Sequence, residues 1–162
     1  MSMFEDDQYR WRETYFVLFD AKKRPSMERV KKVLAAQSDR YALANLGADD
    51  YGRFESLTLL APDDFAALDI CFTAGEEVRE QAEQLIKEMR PGATSPADQA
   101  RLRRIAQATG RFEILHFEQV VEAGDDDEQD EMLDPSAVLI VLGVLAKLTD
   151  GVAVDPQSGT FM

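Results

Sequence analysis

Cys71 and His116 are the side chains of this chain best suited to act as nucleophile and base, and each is the only residue of its type. Covalent catalysis needs such a pair in hydrogen-bond contact, the imidazole taking the proton that the thiol gives up. Cys71 stands in LDICFT between Ile70 and Phe72, where a thiol usually serves as an inert small hydrophobe. His116 stands between Leu115 and Phe117, which predicts a histidine that is hydrogen-bonded or at the surface. The competing reading joins His116 to Glu55, Glu113 and Glu118 as metal ligands. One imidazole among carboxylates suits Mg²⁺ or Mn²⁺ better than zinc. With a single cysteine, CxxC zinc sites and internal disulfides are excluded. No GxGxxG, GxxxxGK[ST] or GxSxG occurs, so the common nucleotide and hydrolase signatures are missing and no cofactor is expected.

Charge is more strongly patterned than chemistry. The 162 residues carry a formal charge of -13, which disfavours phosphate backbones and anionic membrane surfaces and leaves a protein as the expected partner. Residues 122–134 hold eight acids and no base. An EF-hand reading of this run fails: counted from Asp125, position five is Gln129, position six Asp130 and position twelve Ser136. It reads as a hydrated acidic loop, with Asp125, Asp126 and Asp127 as candidate partner contacts. Residues 22–32 hold six bases and one acid, and Lys22, Lys23 and Arg24 are the matching basic candidates. Arg101, Arg103 and Arg104 form a further basic group without aromatic interleaving, so nucleic-acid bases have no stacking platform there.

These groups are positioned by elements that the residue spacing predicts. Residues 14–20, TYFVLFD, read as a buried strand. Ser26 is an N-cap for an amphipathic helix to about Gln37, with Met27, Val30, Val33 and Leu34 on its apolar face. Residues 41–46 and 53–60 make a hairpin around GADDYG, and residues 68–73 a further strand. A helix spans residues 76–90; a second starts at Ser95-Pro96 and is expected to end with Gly110 as a left-handed cap. Residues 111–120 return to strand. Asp134-Pro135 opens a helix so apolar, through Leu148, that it should be covered on most sides, with Gly151 as its stop. Asp155-Pro156 turns a closing hairpin. The longest apolar run, residues 137–146, is half the ~20 residues a membrane span needs.

The expected organisation is an N-terminal arm, residues 1–13, followed by one α+β domain, residues 14–162, with a mostly antiparallel sheet and helices packed on it. Met3, Phe4, Tyr9 and Trp11 make the arm apolar, so it is expected to dock on its own domain or on a second subunit; monomer and homodimer both stay open. Residues 1–13 lack the basic start and apolar stretch of a secretory signal, and the lone thiol suits a reducing cytoplasm.

Pro25-Ser26 and Pro135-Ser136 each open a helix that follows a strand and precedes a hairpin, a grammar of two βαββ units. Two such units resemble ferredoxin-like proteins or the modules of the glyoxalase-type superfamily. The glyoxalase-type resemblance implies His and Glu gathered from neighbouring strands around an open metal position. The closing segment LTDGVAVDPQSGTFM, residues 148–162, resembles the ending of several bacterial families of unknown function and implies no activity. Scarce catalytic groups and segregated charge favour a non-catalytic interaction or regulatory domain of a bacterial cytosol. The alternative is a small-molecule or divalent-metal domain, an enzyme among its forms, with a pocket on the sheet face near His116 and Tyr41.

Overall fold

The computed structural model describes residues 8–120 and 133–162. Strand β1 spans Tyr9–Phe19, five residues longer at its start than the TYFVLFD pattern predicts. Tyr9 faces Gln119 and Trp11 faces Phe117 across the ladder, so this part of the expected arm is sheet. Met3 and Phe4 lie outside the described residues. Residues 16–19 of β1 are buried on both sides of the sheet, which is why four apolar residues run without alternation there.

Helix α1, Met27–Ala35, starts where Ser26 Oγ accepts from the Arg29 amide at 3.2 Å and buries Met27, Val30 and Leu34. Strands β2, Ala42–Ala48, and β3, Phe54–Ala61, form the expected hairpin. The Asp49 carboxylate accepts from the Tyr51 and Arg53 amides at its turn. A one-turn 3₁₀ helix, Pro62–Asp64, leads into β4, Ala66–Ala74. Helices α2, Glu76–Met89, and α3, Pro96–Ala106, follow, the latter capped by Ser95 Oγ at the Asp98 amide, 3.0 Å. Strand β5, Gly110–Gln119, helix α4, Ser136–Thr149, and the hairpin β6, Val152–Asp155, with β7, Thr160–Phe161, complete the described residues.

The seven strands form one sheet in the order β2-β3-β4-β5-β1-β6-β7, every neighbouring pair antiparallel. The molecule is therefore α+β with helices packed on an antiparallel sheet. Both strand-helix-hairpin runs, β1-α1-β2-β3 and β5-α4-β6-β7, are present in sequence order. In space they interleave instead of standing side by side: β1 lies between β5 and β6, and β5 between β4 and β1. One sheet face joins Val17, Phe19, Leu68, Ile70, Phe112 and Ile114 to α1 and α4. The other joins Phe16, Leu18, Val152 and Val154 to α2 and α3.

Two glycines do different work from that expected. The left-handed residue after α4 is Asp150, φ 56°. A Cβ on Gly151 would lie 2.7 Å from the Leu18 carbonyl oxygen, so that glycine admits β1 beside the helix end. Helix α3 ends at Ala106 with Gln107 as its cap, and Gly110 opens β5, where a Cβ would meet Phe72 at 3.1 Å and Ala21 at 3.2 Å. The larger difference concerns α4. Its inner side, Val138, Val141, Leu142 and Leu145, is buried, but Leu139 is 50% exposed and Ile140 39%. The helix lies on the sheet with an apolar side turned outward, and is not wrapped. Among the described residues no helix is long and apolar enough to cross a membrane.

Candidate functional site

A bulge in β1 between Trp11 and Glu13 resets the register so that Glu13 faces His116. His116 Nδ1 lies 2.8 Å from Glu13 Oε1, and the Tyr15 hydroxyl donates to the same oxygen at 3.1 Å. Burial, then the Glu13 charge, pushes the Tyr15 phenol up to about 12. Glu118, one step along the same face, is buried against Arg10 and 3.6 Å from Arg12. A carboxylate that orients an imidazole is the arrangement of a general base. Here the other ring nitrogen, Nε2, is buried without a hydrogen-bond partner among the described residues, and the whole residue is 0% exposed. His116 lines neither of the two clefts described below.

The other expected ligands stand elsewhere. Glu113 faces Cys71 across β4 and β5, with Arg111 3.6 Å away. Strand alternation puts that pair on the sheet face opposite His116 and Leu68. Glu55 is exposed, the extra residue between Phe54 and Ser56 where β3 slips past β2. Among the described residues no three His, Cys, Asp or Glu side chains gather as a metal site. Cys71 and His116 cannot meet through the sheet; Cys71 is exposed and not the small core hydrophobe its neighbours suggest, and partial desolvation of its thiol, followed by Asp69 and Glu113, pushes the thiol up.

Of the basic candidates, Arg24 is spent inside the fold. Its Nε donates to the Phe54 carbonyl at 2.8 Å, its guanidinium lies 4.2 Å over the Phe72 ring, and its side chain is 13% exposed. Lys22 is exposed, and Lys23 reaches Asp150 at 2.9 Å. Asp125, Asp126 and Asp127 lie outside the described residues.

No protein-family model, curated protein or solved structure matches the chain.

The surface that the residue pattern did not single out is the outer side of α4. Leu139, Ile140 and Gly143 recur at helical spacing opposite the buried stripe, and a cleft opens on either flank. One, of about 190 Å³, is lined by Leu139, Gly143, Ala146 and Met162 with Arg101 and Arg104 of α3. The charges of Lys23 and Arg104 help hold the Asp150 carboxyl low, after the hydrogen bond from Lys23, which draws the two expected basic groups to this end. The second cleft, of about 270 Å³, lies toward the start of α4 and is lined by Arg40, Tyr41, Asp63, Asp64, Asp134 and Ile140. Burial raises Asp64, and the Asp134 charge adds to it. Burial raises Tyr41 too, with Asp64 and Asp134 behind it. The signal was available in SAVLIVLGVLAKLT, whose hydrophobic residues occupy both the inner and the outer positions of the helix.

Proposed function

We propose that this is a non-catalytic protein-interaction domain whose docking surface is the outer side of α4 with its two flanking clefts. The observation that carries the reading is the exposure of Leu139 and Ile140 on a helix bordered by Arg101 and Arg104 on one flank and by Asp63, Asp64 and Asp134 with Arg40 on the other. An apolar centre with a charged rim is the anatomy of an interface. Lys22 and Lys23 stand beside the Asp150 end of α4 and extend the basic rim; Asp125, Asp126 and Asp127 would add acidic contacts. A reducing cytoplasm, bacterial by the resemblance of residues 148–162, fits the unpaired thiol of Cys71.

Affinity capture under gentle lysis, run with the wild-type chain and with Ile140→Asp, tests the reading. Both chains must show the same far-ultraviolet circular dichroism. A bound protein lost from Ile140→Asp supports it, and a protein retained by both refutes it. The small-molecule or divalent-ion alternative draws on the Tyr41 cleft alone. Titration calorimetry with Mg²⁺ or Mn²⁺ showing a binding heat that Asp64→Asn removes would favour that reading.

A further inference from the structure

We infer that the occupant of this face is a second copy of the chain, related by a two-fold axis that passes near Gly143. The inference rests on the docking surface proposed above and names its partner. Its ground is that the patch is complementary to itself. Toward the start of α4 stand Asp63, Asp64 and Asp134 with Arg40, which pairs with Asp63 at 3.2 Å and leaves that end acidic on balance; on the flank nearer its end stand Arg101 and Arg104. Ser136 and Ala146, which mark the two ends, are roughly 15 Å apart along the helix. Between them the exposed residues of α4 are Leu139, Ile140 and Gly143.

A two-fold axis lying in the contact plane, perpendicular to the line from the acidic to the basic end, sets each copy's aspartates on the other copy's arginines. It also sets the apolar stripe on itself, as isologous contacts require. A foreign acidic partner would satisfy only the arginine end, and a foreign basic partner only the aspartate end. A second copy satisfies both at once.

Two charges at opposite ends form no ion pair within one copy, although Asp64 accepts from the Ala137 amide and Arg104 acts on Asp150 at longer range. Arg104 is exposed with no carboxylate within salt-bridge reach among the described residues, and Asp64 has no cation within that reach. At the centre, an added Cβ on Gly143 would meet nothing within 4 Å in the single chain, so the facing backbone can approach closely there. The net charge of -13 on each copy opposes association at long range, and complementary ends are the local arrangement that offsets it.

Sedimentation velocity on the full chain, over the micromolar to submillimolar range in which weak protein contacts form, tests the inference. The wild type sediments as a dimer. Ile140→Asp raises the dissociation constant by about thirtyfold. Arg104→Glu and Asp63→Lys each place like charges against one another at both contacts of a homodimer, so each sediments as a monomer. An equimolar mixture of these two variants recovers the dimer, because the two reversed charges then face each other at one contact while the second contact remains wild type. A monomeric wild type, an unaffected Ile140→Asp or a mixture that stays monomeric overturns the inference. If the wild type is monomeric and Ile140→Asp still loses a captured protein, the docking surface stands and only the second copy falls.

Discussion

Replacing Gly143 by alanine separates the stability of the fold from the association of its copies. In the isolated chain Gly143 sits in the interior of α4, exposed, with open space where a Cβ would point. A methyl group there meets nothing and removes the backbone freedom that glycine retains when unfolded, so Gly143→Ala should stabilise the monomer by about 0.8–1.0 kcal/mol. For a domain of this size that is a rise of about 2–4 °C in Tm. In the dimer the added methyl enters the contact twice. Overpacking of about 1–3 kcal/mol then raises the dissociation constant by about fivefold to a hundredfold. Urea melts at a concentration too low for dimers, with sedimentation at high concentration, read the two effects independently. A fall in monomer stability would refute the claim that the outer side of α4 is open. A rise in stability with unchanged association would remove Gly143 from the contact.

Four further substitutions test side chains placed by the fold. Arg24→Met loses the Phe54 hydrogen bond and the Phe72 ring contact, and should cost about 2–3 kcal/mol, whereas Lys22→Ala should change stability by less than about 0.5 kcal/mol; equal thermal shifts would contradict the division drawn between them. The Tyr15 phenol is raised in the folded chain, so its contribution to stability is complete below the unfolded value of about 10 and declines as pH rises toward 12. Between pH 9 and 11 the wild type should lose stability relative to Tyr15→Phe in urea melts; parallel slopes would show that folding does not raise the phenol. The raised thiol predicts that Cys71 alkylates more slowly at pH 8 than an unstructured cysteine and that Glu113→Gln quickens it, as a timed iodoacetamide reaction would show.

Local elements were legible because each is written in consecutive residues. Ser26 and Ser95 cap the helices they precede, and the alternation in residues 111–120 forecasts β5. The contacts that decide chemistry were not, because they join distant segments. Nothing near Glu13 announces that a one-residue bulge will turn it to His116, and nothing near Arg24 announces Phe72 and the Phe54 carbonyl. Alternation says which residues of one strand share a face, but only the pairing register of β4 with β5 shows that Cys71 and His116 occupy opposite faces. The α4 pattern misled for a different reason. Hydrophobic residues on every side of a helix say that each side will be dry, and do not say whether its own chain provides the cover.

The strand order has a consequence for synthesis. β1 is made early, yet both of its ladder neighbours, β5 and β6, are made late; its nearest ladder pair, Phe19 with Gly110, spans 91 residues. At about 5–20 residues per second the ribosome needs roughly 5–20 s to supply that partner. Until then the hydrophobic run at residues 16–19 has neither ladder partner, and both of its edges stand bare inside a nascent chain. A holdase that binds short apolar segments would find its target here, and the yield of this protein in a cell should follow the supply of such chaperones more closely than its equilibrium stability.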